Sequence, residues 1–293
     1  MAGTLSMGAM FPEELVKDLF TKVKGKSSLA ALCKREPISF TGTDLFVFSM
    51  DDEVNLVGEN GKHAAGNIKI SPVKMHPLKI EYGARISEEF MIASEERQIE
   101  LLSSFNDGFE KKLARGLDIM GMHGINPRTG TTSELITQSL DKGTQKVDYA
   151  AATADENIEA AVQLLGDHDI TGLVLSKIMA SDMAKLEGKN GAKKFPELEW
   201  GGQPKVLKGI PTSINSTVSY GTGTKTRAVV GDFESAFRWG YTKKVPIEII
   251  PYGDPDNTGV DLKGSGQIYI RAQAYIGFGI LDETAFARVD ATA

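Results

Sequence analysis

SEERQIELLSSFNDGFEKKLARGLDIMGMHG, residues 94–124, decides how the rest of the chain is read. Within it Leu102, Phe105, Phe109, Leu113, Leu117 and Met120 recur at spacings of three and four, which is one apolar stripe along a helix. The spacing predicts a helix from Ser94 to Met122, capped by Ser87 or Ser94. At a rise of about 1.5 Å per residue it is about 40 Å long, far beyond the average helix, so it serves as a structural spine. Gly108 and Gly116 interrupt it at roughly 1 kcal/mol each relative to alanine, which predicts close approach by another backbone element.

Upstream of the spine, Asp44–Val57 (DLFVFSMDDEVNLV) and Asn67–Ile86 (NIKISPVKMHPLKIEYGARI) both carry strand signals, the second alternating through Ile68, Ile70, Leu78, Ile80 and Tyr82. Between them LVGENGKHAAG, residues 56–66, contains Asn60-Gly61, a hairpin signal. A strand of this length reaches on the order of 45 Å, more than the radius of a compact domain, so the hairpin projects. Pro72 and Pro77 suit an edge or a bent ribbon. A two-stranded ribbon is marginal alone in water, so its own body or a neighbouring subunit must hold it. Further upstream, Pro12-Glu13-Glu14 reads as a helix start, and Leu15, Leu19 and Val23, with Val16 and Phe20 beside them, carry the helix to about Lys24. Gly25–Glu36 reads as an extended or irregular arm.

Downstream, His123–Tyr149 is polar and reads as a loop with one short turn. Thr153 caps the helix DENIEAAVQLL, which Gly166 ends; GLVL at 172–175 is a short strand, and a second helix covers Ile178–Glu187. With the segment Val206–Pro211 these elements describe an α/β unit. Ala228–Val230 and Pro246–Ile250 read as strands on either side of GDFESAFRWGY, and Gln267–Leu281 as one long strand after the Gly- and Asp-rich loop 253–266.

With 293 residues, 41% hydrophobic and 25% charged, the chain can fill one or two ordinary domains. No apolar run approaches the roughly twenty residues of a membrane span, and the N-terminus has no basic stretch followed by an apolar core, so the chain reads as soluble and not secreted. A net charge of −6 argues against nucleic-acid binding over the whole surface. Lys17, Lys22, Lys24, Lys26, Lys34 and Arg35 outnumber Glu13, Glu14 and Asp18 locally and read as a solvated helix face and loop.

Chemistry is not legible. The four histidines, His63, His76, His123 and His168, fall in different elements without ligand spacing, and Cys33 is the only cysteine, which excludes an internal disulfide. Residues 221–226 (GTGTKT) lack the Gly-Lys-Thr order of a phosphate loop and read as a tight turn. Asp254, Asp256 and Thr258 resemble the start of a calcium loop, but Ser265 stands at the twelfth position, where a bidentate glutamate is required. No nucleophile elbow or dinucleotide fingerprint is present. The expectation is a non-enzyme with no catalytic, cofactor-binding or metal-binding residues.

The order of elements, from about Pro12 to Val289, resembles the major capsid proteins of tailed bacteriophages, the Hong Kong 97-type capsid fold. Local strings agree: residues 84–124 look like that family's hairpin exit and spine helix, GIPTSIN (209–215) like its Gly-x-Pro strand entry, VVGDFESAFRWGYTKKVPIEI (229–249) like its Gly-Asp-Phe turn, and GQIYIRAQAYIGFGILDETAFARV (266–289) like its closing strand. The resemblance implies an α+β fold in five parts. These are an N-terminal arm (1–35), an extended β-hairpin loop (36–86), a peripheral domain with the spine helix (87–133), an α/β axial domain (134–244), and a segment (245–293) returning the long strands of the peripheral domain and the C-terminal strand of the axial domain. Trp200, Phe233, Phe237 and Trp239 are then axial-domain core.

It also implies the function: a structural subunit that forms hexamers and pentamers in an icosahedral shell, enclosing double-stranded DNA without sequence-specific binding. Such a protein belongs to the virion and assembles in the host cytoplasm, with no membrane partner. The hairpin would lie across an adjacent subunit through its tip residues Gly58, Glu59, Asn60, Gly61, Lys62 and His63, and the arm would reach a neighbour through Leu15, Leu19, Phe20, Lys34 and Arg35. Some members carry a helical scaffolding region ahead of the arm; here about eleven residues precede the first helix, so a separate scaffolding protein is expected alongside a portal. Some members crosslink a hairpin lysine to an asparagine with help from a glutamate. Gly266 and Gln273 stand where those partners would align, so a crosslink from Lys62 or Lys69 is not expected, and non-covalent contacts or a decoration protein would hold the shell. The same fold also builds encapsulin-like compartments around an enzyme cargo; what copurifies, DNA and portal or a cargo enzyme, separates the two.

Overall fold

A computed structural model of the protein describes residues 26–50, 52–59, 61–62, 65–92, 95–220, 225–242 and 247–292. The predicted helix ending near Lys24, with Leu15, Leu19 and Phe20, lies outside the described residues, as do Asn60 and His63. In chain order the helices are α1 (Ser28–Leu32), α2 (Glu95–His123), α3 (Leu140–Gly143), α4 (Ala154–Leu164) and α5 (Lys177–Lys185). The strands form three groups.

The first group is organised by β12 (Gln267–Ile280), the long strand expected from its alternation. Along one edge β12 pairs antiparallel with β4 (Leu78–Ser87), from Gln267↔Ser87 to Ile276↔Leu78. Along the other it pairs with β11 (Ile247–Ile250) and then β10 (Phe237–Tyr241), and β1 (Lys34–Arg35) adds in parallel to β10. Ala272, Ala274 and Ile276 face α2, whose stripe Leu102, Phe109, Leu113, Leu117 and Met120 is buried with Phe105 half-buried. Each such side chain contributes roughly 1.5–3 kcal/mol.

The second group runs β5 (Gln145–Tyr149), β13 (Phe286–Ala291), β9 (Thr226–Gly231), β6 (Gly172–Leu175), β8 (Ile210–Ile214), β7 (Val206–Leu207). Its one face packs α4 and α5 through Ile158, Ala161, Met179 and Met183; its other face joins the α2 core through Val174, Val229 and Phe286. The third group is the projecting ribbon, β2 (Thr43–Met50) against β3 (Ile68–Met75), in register from Thr43↔Met75 to Met50↔Ile68.

Several expectations change. The ribbon strands stop at Met50 and Ile68, and the chain after Pro77 leaves the ribbon to become β4 on β12. Residues 28–32 of the arm are helical, with Ser27 capping α1 by accepting from the Ala30 amide at 3.0 Å. Two strands were not placed: β5, in a polar stretch, and β10, within GDFESAFRWGY, the segment between two expected strands. Among the described residues nothing crowds Gly108, and only the Pro127 ring approaches Gly116. The close approach occurs instead at Gly121, where a Cβ would stand 2.5 Å from Leu29 Cδ1 of α1. Trp200 is not core, as shown below.

Candidate assembly surfaces

The β2–β3 register places Phe46 opposite Pro72, Phe48 opposite Ile70 and Met50 opposite Ile68. Directly opposed residues share a face, so these six side chains make one apolar surface. It lies open: Phe46 is 72% exposed, Met50 71% and Ile70 63%. Val54 and Leu56, at 97% and 98%, extend it into the connecting loop. Exposed apolar stretches of this length are characteristic of contact surfaces. Of the predicted tip residues, Gly58, Glu59, Gly61 and Lys62 lie exposed beyond it, where the Gly61 amide closes a turn on the Gly58 carbonyl at 2.9 Å.

The ribbon is rooted over a pair of glycines. Gly240 of β10 and Gly277 of β12 are register partners. A Cβ on Gly240 would overlap the Glu36 carbonyl oxygen, and one on Gly277 would lie 2.6 Å from the His76 carbonyl oxygen. The chain entering the ribbon and the chain leaving it therefore both cross the sheet where side chains are missing. Just before that crossing, Lys34 and Arg35, predicted as arm contacts, sit on the edge strand β1: Lys34 Nζ is 2.9 Å from Glu234, and Arg35 donates to the Tyr241 hydroxyl at 2.9 Å. Both side chains remain exposed.

The arm is tied to α2 by a carboxylate that sequence reasoning missed. Asp118 is fully buried and accepts five hydrogen bonds: from Ser27 Oγ (2.6 Å), the Ser28 and Leu29 amides (3.0 and 3.1 Å), Asn215 Nδ2 (2.9 Å) and Thr217 Oγ1 (3.1 Å). Burial raises its pKa, and the hydrogen bonds offset part of that rise.

Five residues on, His123 ends α2 with its side chain fully buried. Its Nδ1 lies 2.6 Å from Asp141 Oδ2 and its Nε2 2.8 Å from the Thr217 carbonyl. When Asp141 is ionised both partners can only accept, so both ring nitrogens donate and the ring is an imidazolium. It sits in the last turn of a helix, where the dipole favours a cation. Burial lowers its pKa, but Asp141 and the Thr217 carbonyl outweigh burial and hold it above the usual 6.5. A raised histidine pKa contributes stability fully below the unfolded value, lost as pH rises through the folded one. The difference in Tm between wild type and His123→Gln should therefore be largest near about pH 6 and shrink towards about pH 9, as read by thermal denaturation across that range.

The profile of the phage capsid family matches residues 8–291. The chain belongs to that family. Among solved structures, a chain from Mycobacterium phage Ogopogo is 32% identical with a TM-score of 0.76, over 91% of this chain and 92% of that one. A chain from Gordonia phage Cozz is 21% identical with the same TM-score of 0.76, over 92% of this chain and 87% of that one. A chain from the capsid of a native GTA particle, at 14% identity and TM-score 0.66 over 91% of this chain and 90% of that one, shares the fold. No curated protein matches it. The surfaces above are those of a phage capsid protein, and a structural role follows from the family.

In this capsid protein the acid-rich loop 253–266 holds an arginine. Arg85 of β4 donates from Nε to Asp256 Oδ2 (2.9 Å) and from Nη2 to Asp254 Oδ1 (2.8 Å) and the Val260 carbonyl (3.0 Å). The Arg85 hydrogen bond pulls Asp256 down to about 2. The guanidinium thus occupies the carboxylates that resembled a calcium loop and clips the loop to the strand leaving the ribbon. Among the described residues no group of His, Cys, Asp or Glu could hold a metal ion.

Phe233, Phe237 and Trp239 are buried, but they pack in the α2 core rather than between the second sheet and its helices. Trp200 is 103% exposed, with φ 57° and ψ 24°. A left-handed backbone at a bulky residue costs about 1–2 kcal/mol, and burial gives nothing back here.

Proposed function

We propose that this chain builds an icosahedral phage shell as hexamers and pentamers, and that the shell encloses double-stranded DNA in the virion after assembly in the host cytoplasm. The observation that carries this reading is the exposed face of Phe46, Phe48, Met50, Ile68, Ile70 and Pro72 on a ribbon its own body leaves uncovered. Membership of the phage capsid family supports a second copy of the chain as what covers it. In this reading the β12 sheet with α2 is the peripheral domain, and β10 belongs with it. The second sheet with α4 and α5 is the axial domain, residues 36–86 are the loop laid across a neighbour, and residues 1–35 are the arm. A portal and a separate scaffolding protein complete assembly. Contacts of this kind are individually weak and multiply because each subunit holds several others.

The double variant Phe46→Glu/Phe48→Glu tests it. Neither side chain supports the subunit's own core, so thermal stability should hold while burial of two carboxylates in a subunit contact lowers particle yield more than about tenfold. Normal particle yield, measured by sedimentation, would remove the ribbon face from the contact.

A further inference from the structure

The residues around Trp200 break a local rule without helping the fold. Trp200 (φ 57°, ψ 24°) and Gly201 (φ 79°) are the central residues of a turn that the Gly202 amide closes on the Glu199 carbonyl at 3.0 Å, both with positive φ as in type I′. Gly201 adopts such a backbone freely, but the first central position, which favours glycine, asparagine or aspartate, is filled by Trp200. The largest apolar side chain therefore stands wholly in solvent on a backbone that disfavours it. Such conflicts between local preference and residue identity concentrate at functional sites.

Trp200 borders a hollow of about 310 Å³, lined also by Lys177, Ala180, Ala184, Leu198 and Ile214. On this flank Lys177, Lys205 and Lys208 are exposed, against Glu197 and the half-buried Glu199 in the turn. β7, the edge strand here, exposes Val206. At the other end of the same face lies α4, which packs on β5, β13 and β9 and also touches α5. α4 has no basic residue; its exposed positions are Glu156, Glu159, Gln163 and Leu164, with Ala160 half-buried among them. One flank thus offers an aromatic side chain with lysines, and the other an acidic helix with a small residue and an exposed leucine. Two complementary patches at opposite ends of one sheet face suit a head-to-tail contact, the type that closes into rings.

We infer that Trp200 is the anchor of a ring contact between copies of this chain. The indole lies across Ala160 and Leu164 of the neighbour's α4, and Lys177 faces Glu159 of that helix. Tryptophan is the side chain most enriched among residues that dominate interfaces. The contact rests on the shell reading and adds to it which residues meet within a capsomer.

Tryptophan emission tests it, because the only other tryptophan, Trp239, is already buried in the free subunit. Wild-type particles, first separated by sedimentation, should emit at shorter wavelength and resist acrylamide quenching relative to free subunits, and Trp200→Phe should abolish that difference. Lys177→Glu and Glu159→Lys should each reduce particle yield, and the pair should restore it. Particles in which Trp200 remains fully quenched would overturn the contact while leaving the shell reading intact. A shielded Trp200 without rescue by the charge exchange would overturn α4 as its partner. Absence of particles from the wild-type chain would overturn the shell reading, and this contact with it.

Discussion

Asp118→Ala should lower the Tm by on the order of 10 °C, because it leaves five donors in the core with no acceptor, a loss of about 4 kcal/mol. Two of those donors are the Ser28 and Leu29 amides, first-turn groups of α1 that no helical carbonyl can satisfy. A third is the hydroxyl of Ser27, the α1 N-cap itself. Asp118 thus fixes where the arm leaves the body. A graded series checks the cause. Ser27→Ala removes a single cap and should cost about 1 kcal/mol. Asp118→Asn keeps the shape but turns one acceptor into a donor, and should fall between the two. Thermal denaturation reads all three, and equal small losses would show that the network does not hold the arm.

Gly277→Val should be the most damaging single change to assembly. Its side chain would meet the His76 carbonyl and Ile38, both part of the chain at the ribbon root. Overpacking of this kind costs about 1–3 kcal/mol, and backbone rather than a flexible side chain has to yield. The cheapest relief is to lift the ribbon root off the sheet, which re-aims every residue from Thr43 to Met75. We expect a folded subunit, several degrees less stable, whose particle yield in sedimentation falls further than its stability alone would explain. A Gly277→Val variant with wild-type yield would mean that the root does not set the ribbon's direction.

Much of the fold was legible because local pattern and tertiary role coincide. The stripe from Leu102 to Met120 is both a helical period and a buried face, and the alternation from Ile268 to Ala274 is both a strand period and the side chains under α2. What was missed depends on partners far along the chain. α1 is only five residues long, too short to form alone, and Asp118 lies about ninety positions from the amides it binds. β5 is a strand because β13, at the other end of the chain, pairs with it. Pro77 read only as suiting an edge or a bent ribbon, in a segment carried through to Ile86; that the residues after it join β12 depends on that distant strand.

At the candidate surfaces the sequence misled in one place. An aromatic residue is usually interior, and Trp200 was counted so; the signal against it was the pair of glycines that follows, the composition of a tight turn. The Asp-rich loop read as lacking the calcium pattern; its acids instead meet a cation from far along the chain, Arg85, about 170 positions upstream. The apolar ribbon face was not singled out, because Leu45 and Val47 are as apolar as Phe46, Phe48 and Met50 and no alternation shows which side of the strand is covered; only the tip beyond it was named.

The central claim is that this chain is a shell subunit, and sedimentation velocity of the purified full-length protein, followed by negative-stain microscopy of the heaviest fraction, tests it most directly. The account predicts icosahedral particles of megadalton mass, or hexamers and pentamers that convert to them. A chain that stays monomeric at every concentration, salt and crowding condition, with its ribbon face still in solvent, would contradict it.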